Sequence, residues 1–181
     1  NVHMLANLML ARGHIGRPGA GLAPIRGHSN VQSDRTMGIN ERPSPKLLDS
    51  LDRVFGIQSP REHGFGVVDT IQAMYEGGVK VFIGLGGNFA VATPDTPYTQ
   101  EGLRRCDLTV QIATKLNRSH LVCGKEALLL PCLGRTEVDM QQHGPQAVSV
   151  EDSMSNVHLS AGRNEPASKN LLSEPDIVAR M

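Results

Sequence analysis

Val79-Lys80-Val81-Phe82-Ile83 runs directly into Gly84-Leu85-Gly86-Gly87-Asn88. A β-branched and aromatic run that ends in glycines reads as a short strand leaving into a tight turn. Upstream, residues 67–76 place Val67, Val68, Ile71, Met74 and Tyr75 at helical spacing before Gly77-Gly78. Residues 46–55 do the same with Leu47, Leu48, Leu51, Val54 and Phe55 before Gly56, so each helix carries one apolar stripe and a glycine stop. Downstream, Thr99 to Arg105 reads as a short helix. Leu108 to Ile112 and Ala127 to Leu130 read as second and third strands, and Ala147 to Val150 as a fourth. Alternating helices and strands predict an α/β domain with a largely parallel sheet. Parallel strands joined by right-handed crossovers put their C-terminal ends on one edge.

The composition narrows the function. The 181 residues carry Lys+Arg 18 and Asp+Glu 18, hence no net charge, and only 3% aromatics. A balanced, aromatic-poor chain lacks the basic excess and stacking platforms of a nucleic-acid binder. No apolar run approaches the ~20 residues of a membrane span, and no basic segment precedes the apolar residues 2–10 as it would in a secretory signal. The cysteines, Cys106, Cys123 and Cys132, have neither an even count nor metal-ligand spacing and read as reduced thiols, which favours the cytoplasm. Asp139, Glu151, Asp152 and His158 follow no ligand pattern either and read as surface or cap residues.

Both ends read as helix pieces. Val2 to Leu10 is apolar at helical spacing and reaches Gly13; Ser173 precedes Glu174-Pro175 as a cap precedes a first turn. The expectation is an internal portion of a longer protein. Between the helices, residues 13–45 have no period, and glycine and proline recur throughout. Arg12, Arg17, Arg26, Arg35 and Arg42 stand against Asp34 and Glu41. Such a long aperiodic stretch is often functional; an anion-facing loop and a solvated linker both fit it.

Three strand-end loops then carry polar residues on the same edge, where open α/β sheets bind ligands. Gly84 to Asn88 is either a plain tight turn or a loop whose backbone N–H groups face a phosphate. It lacks the third glycine and the acidic partner of the usual dinucleotide fingerprint. Thr114-Lys115-Leu116-Asn117-Arg118-Ser119-His120 follows the second strand, with Asn117 or Ser119 also readable as a helix cap. Arg135, Thr136 and Glu137 follow the third; Arg and Thr suit phosphate and ribose oxygens.

Gly13-His14-Ile15-Gly16-Arg17-Pro18-Gly19, then Ala23-Pro24-Ile25-Arg26-Gly27-His28, then Asn30-Val31-Gln32, together resemble a signature of the molybdopterin oxidoreductases of the dimethyl-sulfoxide-reductase superfamily. The similarity is greatest to the formate dehydrogenase α-subunit type. Gly86-Gly87-Asn88 with Pro94-Asp95, and Leu130-Pro131 with Glu137, are similar to later motifs of that family, in the same order, over residues 1 to about 145.

The resemblance implies a Rossmann-like three-layer αβα domain within a multidomain molybdoenzyme. Residues 1–45 would be a helix end and a cofactor-facing loop, 46–145 the Rossmann-like domain, and 146–181 a polar extension, open to disorder, with the start of a helix. It implies bis-molybdopterin guanine dinucleotide with molybdenum, and an iron–sulfur cluster whose ligands, like the metal's, lie upstream of this chain. It also implies a small anionic substrate such as formate and an electron-transfer partner. Arg26 matches the arginine beside the metal, and its guanidinium suits a carboxylate. His28, where glutamine is usual, suits a proton shuttle or a hydrogen-bonded loop histidine. Gly27, Gly86, Gly87 and Asn88, then Thr114, Lys115 and Asn117, then Arg135, Thr136 and Glu137, match cofactor-binding loops. Thr114-Lys115 stands where that family carries an acid. Nitrate, arsenite or an organic oxide as substrate, or a silent structural subunit, are the alternatives.

Overall fold

A computed structural model of the chain describes residues 2–23, 41–152 and 156–181. Its centre is a parallel sheet of three strands in sequence order, β1 (Val81–Leu85), β2 (Leu108–Ala113) and β3 (Glu126–Pro131). Val81 pairs with Leu108 and Leu108 with Glu126, so the strands run level and their C-terminal ends share one edge. β1 begins two residues later than its apolar run and continues through Gly84 and Leu85, which pair with Gln111 and Ile112. The turn itself therefore starts at Gly86, whose N–H donates to Ile112 O at 2.8 Å and whose φ is +70°.

The helices follow their caps. α1 is Val2–Ala11, and Gly13 behind it adopts φ +63°. α2 (Pro45–Phe55) starts at Ser44, whose hydroxyl accepts from Leu47 N, and stops at left-handed Gly56. α3 (Val67–Tyr75) is followed by left-handed Gly77. After β1 come α4 (Phe89–Ala92) and α5 (Thr96–Arg105). α5 starts three residues before the apolar pattern indicates, because Asp95 accepts from Tyr98 N as its cap and Pro97 is admissible in a first turn. A 3-10 turn, Arg118–Leu121, separates β2 from β3.

α3, α4 and α5 cover one face of the sheet. Met74, Leu103, Ala90 and Cys106 are fully buried there, with Ile71 and Val122, and Phe82 packs on them from β1. Gly102 lets α5 approach α3 closely: a Cβ there would lie 3.2 Å from Met74 Cβ. Tyr75 and Tyr98 stack with centroids 4.2 Å apart, and the Arg105 guanidinium lies 4.0 Å above Tyr75. Burial holds the Cys106 and Cys132 thiols above their ordinary pKa, which keeps them unreactive.

Alternation sends every second strand residue to the other face. There Val81, Ile83, Leu128 and Leu130 remain 44–50% exposed. The α1 side chains Met4, Leu5, Leu8 and Leu10 are exposed as well. A layer of helices thus covers one side of the sheet.

The fourth strand does not join this sheet. β4 (Asp139–Gln141) and β5 (Gly144–Gln146) form one antiparallel hairpin, and β6 (Val148–Glu151) pairs antiparallel with β7 (Val157–Ser160) in another. Periodicity marks a strand but not its partner, and here the nearest partner is eight residues away in sequence, across a hairpin. The last helix, α6 (Glu174–Arg180), is capped by Ser173, whose hydroxyl accepts from Asp176 N.

Met74→Ala removes a fully buried side chain at the α3–α5 contact. The expected loss is about 2–5 kcal/mol, read as a lower urea midpoint with an unchanged slope.

Candidate functional site

The level parallel strands bring three loops to one edge. In the first, Asn88 stands before α4 but does not cap it with its side chain. Its Oδ1 accepts from Ser119 Oγ at 2.8 Å, and the same Oγ accepts from Ala90 N at 2.9 Å. Ser119 is fully buried. In the second loop, Asn117 Nδ2 donates to Gly87 O at 3.0 Å, while its Oδ1 accepts from Ser119 N at 2.9 Å. His120 Nδ1 accepts from Asn117 N at 2.7 Å and completes a capping box. Both amide ends of Asn117 are therefore spent on positioning the glycine turn, and the helix-cap reading of Asn117 describes its local geometry. Asn88 keeps its Nδ2 without a partner among the described residues.

The third loop is braced from the C-terminal side. Glu137 Oε2 accepts from Gly134 N at 2.6 Å and Oε1 from Ala167 N at 3.1 Å. These two backbone donors hold its carboxyl below its ordinary pKa. Thr136 O accepts from both Arg163 N and Asn164 N at 2.9 Å, and Leu133 N donates to Leu172 O at 2.9 Å. Gly162 passes so close to Glu137 that a Cβ there would overlap its backbone. Residues 162–172 thus form the backing of the loop, a role that periodicity does not signal because it rests on backbone bonds.

The three loops enclose a cavity of about 450 Å³. Gly86 forms one wall, Thr114 and Lys115 a second, and Gly134 to Glu137 a third, with Glu174 at the mouth of α6 closing it. A Cβ on Gly86 would meet Glu174 Oε1 at 2.6 Å, so the glycine is needed for space as well as for its positive φ. Lys115, Arg135 and Glu174 make no hydrogen bond or ion pair among the described residues. Two free cations beside hydroxyls and a backbone turn can bind phosphate oxygens, and the free carboxylate can accept from a donor-bearing ring. The structure brings together Gly86, Thr114, Lys115, Arg135, Thr136 and Glu137 around the cavity. Gly87, Asn88 and Asn117 stand beside it in the supporting network. Arg26, Gly27 and His28 lie outside the described residues.

Sequence reasoning passed over Glu174, Gln111 and His120. Glu174 was legible only as a first-turn acid. Gln111 interrupts an apolar strand, and that interruption was its one signal. Among the described residues no three His, Cys, Asp or Glu side chains cluster as a metal site, and His158 Nε2 pairs with Asp152 Oδ2 at 2.9 Å. No helix in the described residues is long and apolar enough to cross a membrane.

No protein-family model matches the chain. It is 59% identical over 177 residues to an uncharacterized oxidoreductase of Mycobacterium tuberculosis, covering 98% of this chain and 23% of that protein. It is 49% identical over 179 residues to the protein YdeP of Escherichia coli, covering 99% of this chain and 24% of that protein. A putative formate dehydrogenase of Bacillus subtilis, YrhE, is 28% identical over 114 residues, 59% of this chain and 12% of that protein. The chain therefore spans about a quarter of the length of the curated relatives it matches most fully, and those relatives include proteins named oxidoreductases.

Glu137 carries a pH signature. Its folded-state pKa is depressed, so the stability it contributes is present above its ordinary value of 4.5 and is lost as pH falls through that value toward the lower folded one. Glu137→Gln replaces one acceptor by a donor facing a backbone N–H. The variant is expected to be less stable at neutral pH and to lose stability less steeply on acidification, measured by urea unfolding at several pH values.

Proposed function

We propose that this chain is the cofactor-cradling part of a molybdopterin-dependent oxidoreductase of the formate-dehydrogenase-like branch. The observation that carries the reading is the meeting of the glycine turn, Thr114-Lys115 and the Gly134–Glu137 loop around one cavity at the C-terminal edge of a parallel sheet. The similarity to proteins named oxidoreductases over nearly the whole chain, and to a putative formate dehydrogenase over part of it, supports the same reading.

The residues fit a guanine dinucleotide. Lys115 and Arg135 are unpaired cations among the described residues, and Gly86 leaves room that any side chain would fill. In this reading Lys115, Arg135 and Thr136 hold phosphate and ribose oxygens. Asn88 Nδ2 supplies a further donor, and Glu174 faces a ring edge. When bound, the molybdenum–pterin group supplies two-electron transfer, and the chain supplies position and field. Asn117, Ser119 and Glu137 keep the three loops at fixed spacing. Arg26 grips the carboxylate of a small anion such as formate, and His28 stands next to it in sequence as a proton carrier. An iron–sulfur cluster and an electron-transfer partner belong to the same proposal, as does a cytoplasmic setting.

The exposed apolar face formed by Val81, Ile83, Leu128 and Leu130 supports a three-layer arrangement. Its second helical layer would come from elsewhere in a longer protein, as the fourfold greater length of the relatives allows. With the same cofactor, the substrate could instead be nitrate, arsenite or an organic oxide; without it, the fold would serve as a silent structural subunit.

Elemental mass spectrometry and nucleotide release on the full-length protein test the proposal. Molybdenum near one atom per chain, with guanosine monophosphate released by acid, is the expected result. A folded protein with neither, made with cofactor supply intact, overturns it. Asn88→Ala is expected to lower molybdenum content. Arg26→Ala is expected to retain molybdenum and lose most formate turnover; unchanged turnover rules out its role.

A further inference from the structure

Gln111 lies inside β2, 4% exposed, on the sheet face that packs against the helices. Its Nε2 is buried and has no hydrogen-bond partner. Buried amide groups are almost always paired, because leaving one unpaired forfeits its hydration without return. The side chain lies over Gly84 of β1, where a Cβ would come within 2.6 Å of Gln111 Oε1. The neighbouring strand thus makes room for this glutamine rather than satisfying it.

Gln111 lines a second cavity, of about 160 Å³, at the C-terminal ends of β2 and β3. Thr114, Lys115 and His120 are its other polar walls, and Ala113, Leu129 and Pro131 its apolar ones. His120 is 7% exposed, and its Nδ1 already accepts from Asn117 N. A neutral His120 therefore carries its proton on Nε2 and can act there only as a donor. Lys115 donates only, and Thr114 can donate. No carboxylate lines the space. A pocket of donors with an unpaired buried amide repels cations and favours oxygen acceptors. Its volume is several times the roughly 30 Å³ share of one water, enough for a tetrahedral oxyanion.

We infer that this second cavity is an oxyanion site, in which Gln111 Nε2, the His120 ring and Lys115 Nζ bind a phosphate group. The inference stands on the cavity itself and does not need the dinucleotide assignment. The phosphate is either a free anion or part of a nucleotide whose remainder reaches the larger cavity, since Thr114 and Lys115 line both spaces.

Thermal unfolding of the full-length protein, produced without molybdenum cofactor supply, tests it. The probes are inorganic phosphate, guanosine diphosphate, and sodium chloride at matched ionic strength. Phosphate is expected to raise Tm in the parent protein, and chloride is not. Gln111→Leu keeps the volume and removes the unpaired amide, so its unliganded Tm is expected to equal or exceed the parent's. Its half-saturating phosphate concentration is expected to rise at least tenfold. Lys115→Met is expected to weaken phosphate with little change in unliganded Tm. A lower half-saturation for guanosine diphosphate than for phosphate identifies a nucleotide phosphate; equal values identify a free anion. A Gln111→Leu variant that responds to phosphate as the parent does, or a parent protein indifferent to phosphate, overturns the inference. A purely structural Gln111 would alter the unliganded Tm and leave the phosphate response in place.

Discussion

Ser119 Oγ donates to Asn88 Oδ1 and accepts from Ala90 N, out of contact with water. This buried hydroxyl joins two strand-end loops that are 29 and more residues apart in sequence. Hydrogen bonds in such an environment are strong, and an unmet group there is costly. The glycine turn and the loop after β2 therefore keep one relative position. Asn117 adds a second tie, to Gly87 O, and the capping box with His120 fixes Asn117 in turn. The cavity between the loops depends on this spacing.

The third loop reaches the same spacing by different means. Its Glu137 carboxylate is consumed by two backbone N–H groups, and residues 162–172 hold it from behind. A carboxylate that looks like a ligand-binding group in the sequence is thus occupied internally. The free carboxylate at the cavity belongs instead to Glu174, brought there by the capped start of α6. The local charge at the site is accordingly two unpaired cations and one unpaired acid among the described residues, whereas the whole chain is neutral.

The helices α3 and α5, the three strands and both terminal helices were legible from apolar spacing, caps and glycine stops. These signals are local: a cap acts over three residues and a stripe over two turns. Boundaries moved where a cap overrode the apolar pattern, as at Asp95 and Pro97, or where strand pairing continued through a glycine, as at Gly84. The strand at Ala147 to Val150 was legible as a strand. Its place in a hairpin was not, because alternation carries no information about the partner.

At the site, the sequence by itself determined that glycine, asparagine, hydroxyl and basic residues follow three strands, and that parallel pairing would bring them to one edge. That follows from local pattern and the handedness of crossovers. Only the tertiary structure decided which of those side chains are spent on holding the loops, as Asn117 and Glu137 are, and which remain free, as Lys115 and Arg135 do. It also decided that Gln111, a polar residue within an apolar strand, lies buried and unpaired beside His120. Hydrogen-bond satisfaction is a property of distances between segments far apart in the chain, and no reading of neighbours along the chain contains it.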